Sequence, residues 1–336
     1  MTITAQYQRI LISRTDSIGD VVLTLPMAGL LRQLFPKAQI FFLGQTYTCP
    51  VIEACEHIDE FYNWDDVKAK SIVEQAAFLK KLKADIIIHI FPRDSIARAA
   101  KRAKIPVRLG TANRFYHWRT CNKLIRLSRK KSPHHEAQLN LKLLEPLGAK
   151  PLYSLHEIAH LYGLTQLKPL NPELTEFILK DKTNLIIHPT SKGSAMEWGM
   201  KNFAALMRLL PAEQFNLLIT GTESDGERIR HDLPEFYFMH DLTGKLTLDE
   251  LISLIAQADG LVAASTGPLH LAAALGKYAL GLYPSRRPMH PGRWAPVGIN
   301  ADFVQDGLTT PYQSPLKIQP QSVAEKLKVL QKSEPK

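Results

Sequence analysis

The chain has 336 residues, 45% of them hydrophobic and 22% charged, which exceeds what one typical core organises and predicts two domains. Its 42 basic against 32 acidic residues give a formal charge of +10, favouring anionic partners: nucleic acid, acidic lipid surfaces or phosphorylated substrates. Cys49, Cys55 and Cys121, an odd number without C-x-x-C spacing, argue against a disulfide framework or a cysteine zinc site and read as buried thiols of a reducing compartment.

Met1 to Gln8 lacks the apolar core of a signal peptide, and no run approaches the ~18–20 apolar residues of a membrane span, so a cytoplasmic chain without a transmembrane segment is expected. Arg9 to Ser13 (R-I-L-I-S) reads as a strand and Arg14 to Asp20 (R-T-D-S-I-G-D) as the loop after it. Val21 to Leu34 reads as one helix, with Val21, Leu25, Ala28 and Leu31 at helical spacing and Pro36 closing the unit. Gln39 to Leu43 is a second strand ending at Gly44, and Val51 to Ala54 with Phe61 to Trp64 suggests a further helix and strand. Lys68 to Lys83 is amphipathic, Ala84 to Ile90 a buried strand, Asp94 to Lys104 a basic helix and Val107 to Gly110 another strand. This alternation predicts a parallel, doubly wound sheet.

Between Thr111 and Pro133 the rhythm breaks into an expected loop carrying Arg114, Phe115, Tyr116, His117, Trp118, Arg119, Lys123, Arg126, Arg129, Lys130 and Lys131. Cations with aromatics suit a nucleic acid or an anionic glycolipid equally, and a solvated surface reads the same. His134 and His135 mark the edge of a helix. Gly148 to Lys182, with Pro151, Pro169 and Pro172, is the expected interdomain region, dividing the chain into domains 1–165 and 166–320 and a helix and tail over 321–336.

A second α/β series follows. Its strands are Asn184 to His188, Phe215 to Thr220, Leu261 to Ala264 and Tyr278 to Tyr283; its helices are Lys201 to Leu210, Ser224 to Leu233, Leu248 to Ala258 and one from Pro268 to the stop at Gly276. Gln321 to Leu330 is a last amphipathic helix. Ligands of open α/β sheets bind beyond the carboxyl ends of the strands, so two such sheets imply one site in a cleft between them.

Three strand ends of the second half carry ligand-type groups. Pro189 to Ser194 (P-T-S-K-G-S) offers Thr190, Ser191 and Lys192; the segment after Thr220 offers Glu223 and Asp225 to ribose hydroxyls; Ser265, Thr266 and Gly267 open a helix whose positive end suits a diphosphate, with His270 one turn in. Leu242 to Leu246 adds Gly244 and Leu246 as backbone for a base edge and Lys245 for phosphate. The P-loop pattern is absent, G-x-G-x-x-G does not follow the first strand, and no D-x-D pair is present to hold a metal on a diphosphate, which points to departure of the diphosphate assisted by helix dipoles and cations. His156 to His160 is a formal H-E-x-x-H, with Glu173 or Glu176 as a conceivable third zinc ligand. It is short and proline-bounded and reads as a surface or linker segment. Asp20, where the first strand feeds a helix, reads either as an N-terminal helix residue held by the dipole or as a general base.

The stretches Arg14 to Pro26 (R-T-D-S-I-G-D-V-V-L-T-L-P), the lysine loop ending in Trp198, Leu242 to Gly244 (L-T-G) and Ser265 to Gly276 (S-T-G-P-L-H-L-A-A-A-L-G) together resemble glycosyltransferase family 9, the lipopolysaccharide heptosyltransferases. The resemblance covers about residues 9 to 300. It implies a GT-B fold of two Rossmann-like domains, an ADP-heptose donor on the second, an anionic inner-core glycolipid acceptor met by the first at the inner face of the cytoplasmic membrane, and inversion without metal or cofactor. By position Asp20 corresponds to the family's base and Arg14 to the basic residue before it; Thr190, Ser191 and Lys192 correspond to the phosphate loop, and Thr266, Gly267 and His270 to the diphosphate turn. Many family members have Asp at the position of Ser265 and Lys at that of Met196. Arg14, Ser17, Arg93, Arg98, Arg114 and Arg119 are the expected acceptor residues. The rival readings are a nucleotide-sugar epimerase or hydrolase of the same fold, or a nucleic-acid binder using residues 111–133.

Overall fold

The computed structural model describes residues 7–129, 132–307 and 315–331, so Lys130, Lys131 and the end of the expected tail lie outside the described residues. The chain separates into two compact units that meet in sequence at Gln166 and Leu167.

The first unit holds a six-stranded sheet of β1 (Arg9–Ser13), β2 (Gln39–Gly44), β3 (Glu60–Asn63), β4 (Ile86–His89), β5 (Val107–Thr111) and β6 (Lys123–Ile125), in the order β3-β2-β1-β4-β5-β6. Every neighbouring pair is parallel. The central strands β1 and β4 bury Ile10, Leu11, Ile12, Ile86, Ile87 and Ile88 completely, which is why they read as continuous apolar runs rather than alternating ones.

Two expectations are corrected here. The single helix over Val21 to Leu34 is two helices, Ile18–Val22 and Leu25–Leu34. Pro26, in the first turn of the second, has no N–H to donate to the Val22 carbonyl, so the ladder stops and restarts across Leu23 and Thr24. The Asn140 amide takes the Leu23 carbonyl at 2.9 Å, and the Thr24 hydroxyl donates to the Asp20 carbonyl at 2.9 Å. Asp20 therefore sits inside a short helix. The basic stretch after Thr111 is likewise more than a loop: it folds a helical turn, His117–Thr120, and then the edge strand β6, paired through Leu109↔Lys123 and Thr111↔Ile125. Charge at a sheet edge hinders pairing with another chain.

The second unit repeats the plan with β7 (Thr183–His188), β8 (Phe215–Ile219), β9 (Met239–Asp241), β10 (Gly260–Ala264), β11 (Tyr278–Tyr283) and β12 (Ala301–Gln305), ordered β12-β11-β10-β7-β8-β9 and parallel throughout. Its core gathers Trp198, Phe203, Phe215, Leu217 and Val262; Met196 is buried among them. The Trp198 indole N–H donates to the Ile318 carbonyl at 2.9 Å, fixing the end of the lysine loop. In each sheet the chain winds outward in both directions from one adjacent pair, β1 with β4 and β7 with β10. The crevice at such a reversal is where open sheets hold ligands.

Candidate functional site

In the second unit the reversal pairs β7 with β10, in the register Ala263↔His188. The loops leaving these two strands carry Thr190 and Thr266, both buried. Thr266 is the N-cap of the helix Gly267–Ala274, yet its hydroxyl makes no capping bond and is buried without a partner, at 6% exposure for the residue. A buried hydroxyl needs a hydrogen bond, and here it stands beside the unsatisfied N–H groups of a helix start, a setting that receives an anion. Gly267 is half-buried and allows close approach; His270, one turn on, is buried beneath it. The Ser265 hydroxyl donates to Tyr283, which in turn donates to the Trp294 carbonyl.

The phosphate-loop residues divide. The Ser191 N–H donates to Glu197 and its hydroxyl to the Ala195 carbonyl at 2.9 Å, so this serine shapes the loop, while Lys192 is exposed at its tip. The acidic candidates divide too. Asp225 is the third residue of a capping box, accepting the Thr222 N–H at 2.9 Å and hydroxyl at 2.6 Å. Burial pushes its carboxyl up, but hydrogen bonds from Thr222 and Thr190 outweigh that and hold it below the usual range. Glu223 pairs with Arg230 at 2.7 Å, and Arg230 also binds Asp241 at 3.0 Å. Gly244 has φ +76°, and its N–H donates to the Gly221 carbonyl at 3.0 Å. Lys245 is exposed, with its Nζ on the Asp241 carbonyl at 2.8 Å; Leu246 is half-buried. Arg230, which organises this corner, escaped the sequence reading; its spacing two helical turns after Glu223 was the available signal. His188 donates or accepts with the Thr220 hydroxyl at 3.0 Å, and burial lowers its pKa to about 4.

In the first unit the reversal pairs β1 with β4. The register partners Ser13 and His89 are buried there without hydrogen-bond partners for the serine hydroxyl or either ring nitrogen, and burial lowers the His89 pKa to about 3. The loop after β1 turns on Arg14, which is 2% exposed. Its guanidinium engages Asp16 at 2.7 Å, Asp20, the Asn140 carbonyl oxygen at 3.3 Å and Glu136 at 3.8 Å. The Ser17 hydroxyl donates to the other oxygen of Asp20. Burial raises the Asp16 carboxyl above its ordinary range, with Arg14 opposing the shift and Asp20 adding to it. Arg14, an expected acceptor residue, is buried, with its donors on Asp16, Asp20, Glu136 and the Asn140 oxygen. Glu136, buried and paired also with Arg129, and Asn140 are the partners that sequence reasoning missed. His135 caps their helix by accepting the Ala137 N–H at 3.2 Å.

Arg93 stays near this loop: it lies over Phe91 at 4.6 Å and donates to the Thr15 carbonyl at 3.3 Å. Arg98 pairs with Asp94 at 2.8 Å, Arg119 lies over Phe115 at 5.1 Å, and Arg114 is exposed. Glu157 of H-E-I-A-H is the third residue of a capping box with Ser154 and pairs with Lys150. Among the described residues no group of three or more His, Cys, Asp or Glu is arranged to hold a metal. Cys55 and Cys121 are buried and Cys49 half-buried, all as free thiols.

Two doubly wound parallel six-stranded sheets in one chain are the architecture of the GT-B fold. The chain belongs to glycosyltransferase family 9 (heptosyltransferase), whose family model matches residues 76–318. It is 24% identical to lipopolysaccharide heptosyltransferase 3 of Escherichia coli across 79% of this chain and 80% of that one. Among solved structures, the family 9 glycosyl transferase of Veillonella parvula DSM 2008 superposes with a TM-score of 0.79 at 19% identity, covering 98% of both chains. The E. coli heptosyltransferase WaaC with ADP superposes at 0.73 and 17% identity, covering 96% of this chain and all of that one. At these identities the structures speak to the fold. Among the described residues no helix is long and apolar enough to cross a membrane.

Proposed function

We propose that this glycosyltransferase moves a heptose from ADP-heptose to an anionic lipopolysaccharide-core glycolipid at the inner face of the cytoplasmic membrane, with inversion and without a metal or further cofactor. The observation that carries the reading is Asp20: a carboxylate with 21% side-chain exposure at the carboxyl edge of the first sheet, held at one oxygen by Arg14 and at the other by Ser17. A carboxylate so oriented takes the proton from an acceptor hydroxyl. The acceptor oxygen then bonds to the anomeric carbon as the carbon–oxygen bond to the diphosphate breaks. The leaving diphosphate's charge is received by the helix start at Thr266 and Gly267, with the exposed Lys192 as a further cation. His270 and Lys245 serve the phosphates, Gly244 and Leu246 the base, and Glu223 the ribose. Arg93 and Arg114 meet acceptor phosphates. The donor nucleotide is supported by the ADP held in the WaaC structure, and the acceptor class by the name of the E. coli relative.

The test is transfer by the purified chain, in the presence of a chelator, from ADP-heptose to a truncated core glycolipid, with the new linkage read by NMR. Glycolipid product with inverted anomeric configuration is expected. Free sugar, an epimerised nucleotide sugar, or transfer that requires added metal overturns the reading.

A further inference from the structure

Away from Asp20 the first unit carries a second charged feature. The helix Asp94–Arg102 buries Ile96, Ala97, Ala99 and Ala100 against the sheet and turns Arg98, Lys101 and Arg102 outward. With Lys104, Arg119 and the ring of Phe115 these residues line a groove of about 630 Å³. Asp94 is the acid in its wall, and it is already paired with Arg98 at 2.8 Å. The helix leaves the carboxyl end of β4 and returns to the amino end of β5. At 1.5 Å per residue, Arg102 and Lys104 therefore lie roughly 13 Å from Asp94, toward the sheet edge opposite to the loop of Asp20.

Beside the row stand two large apolar side chains in water, Phe115 at 75% and Trp118 at 63% exposure. The segment is tied down: the Trp118 indole N–H donates to the Ala112 carbonyl at 2.9 Å, and the Lys101 ammonium donates to the Arg119 carbonyl at 2.7 Å. The Arg119 guanidinium covers a face of Phe115. An interfacial anchor needs an apolar body flanked by cations at headgroup depth, and Phe115 and Trp118 with Lys101 and Arg119 meet that requirement; stacking on bases is the competing use of such rings.

We propose that this face docks the protein on an anionic phospholipid bilayer, Phe115 and Trp118 entering the headgroup boundary and the row from Arg98 to Lys104 lying against lipid phosphates. The proposal deepens the glycolipid reading and rests on it for the presence of a membrane. A cation at such a surface strengthens partition about fivefold.

The full chain is sedimented with vesicles of phosphatidylcholine alone and of phosphatidylcholine with phosphatidylglycerol, at low and high salt, without donor or acceptor. Binding to the anionic vesicles only, weakened by salt, is expected. Arg102→Glu with Lys104→Glu should lower it at least 25-fold, and Phe115→Ser with Trp118→Ser at least tenfold, while transfer to a detergent-soluble acceptor is unchanged in both. Equal binding to neutral vesicles, unaltered binding by the charge-reversed variant, or capture by a single-stranded oligonucleotide in place of vesicles overturns the proposal. Active transfer to soluble acceptor without any vesicle binding overturns the docking surface alone. Vesicle binding with no transfer to any glycolipid supports the surface and refutes the function proposed above.

Discussion

The guanidinium of Arg14 donates to one oxygen of the Asp20 carboxylate, and the Ser17 hydroxyl donates to the other. This leaves Asp20 a narrow choice of orientation at the surface of an otherwise buried charge cluster. Asp20→Asn keeps the shape and an oxygen for Arg14 while removing the proton acceptor. Turnover should fall by about 10² to 10⁴, the range a general base supplies, with nucleotide affinity within a factor of about two of the parent chain. Steady-state rates and calorimetry on one preparation check this; wild-type turnover in the variant would remove Asp20 from the reaction.

Arg14 has a different role, and its loss should read as stability. Arg14→Met leaves Asp16, Asp20 and the buried Glu136 without their shared cation, Glu136 retaining Arg129. Breaking a buried pair from one side costs about 3–5 kcal/mol, so the denaturant midpoint of the first unit should drop by that equivalent. Arg14→Lys should recover only part, because an ammonium cannot span Asp16, Asp20 and Asn140 at once. Full recovery by lysine would show that charge alone matters here.

The contrast between these two residues shows what was legible in the chain itself. Asp20 and Thr266 lie in contiguous segments where a strand stops and a helix starts, a change of period visible in one dimension. β1 and β11 fall on the expected residues because buried parallel strands are unbroken apolar runs with polar ends. Asn140 stands 126 positions from Arg14, and no local pattern announces a partner that far along the chain. The break at Leu23 and Thr24 was hidden because the apolar spacing continues in phase across it, with Pro26 as the one mark. β9 and β12 were missed because these edge strands are half-exposed and carry no long apolar run: no residue of Met239–Asp241 or Ala301–Gln305 is buried.

Gly244 sits where a side chain has no room. Its φ of +76° is left-handed, and a β-carbon there would fall 1.9 Å from the Glu223 Oε2 and 3.1 Å from the Glu223 Cα. The carboxylate can swing away, but the backbone cannot, and the φ strain remains. Gly244→Ala should lose about 1–2 kcal/mol from the left-handed conformation. It should also weaken ADP binding by dislodging Glu223 from Arg230. Thermal unfolding and ADP calorimetry measure the two effects separately. Glu223→Ala, which removes the same carboxylate and keeps glycine at the left-handed position, should weaken ADP binding without the stability loss. Unchanged ADP affinity in both variants would take this corner out of the donor site.

The last prediction concerns acid. His89 in the first unit and His188 in the second are buried as neutral rings, with pKa values lowered to about 3 and about 4 by loss of hydration. Unfolded, each returns to about 6.5, so between that value and the folded one the unfolded chain binds the extra proton. The sign follows directly: the contribution is intact above about pH 6.5 and is lost progressively as pH falls, at about 1.4 kcal/mol per pH unit for each ring. At pH 5 each unit should be about 2 kcal/mol less stable than at neutrality, before most carboxylates titrate. His89→Leu removes one proton site and should reduce the dependence of the first unit, where burial also lowers His57 and His117, while leaving unchanged that of the second, to which His188, His240 and His290 contribute. Denaturant titrations across this range, on variants keeping Trp64 or Trp198 as the single tryptophan, resolve the two units. A variant whose first unit keeps the parental slope would place the acid sensitivity in a group other than His89.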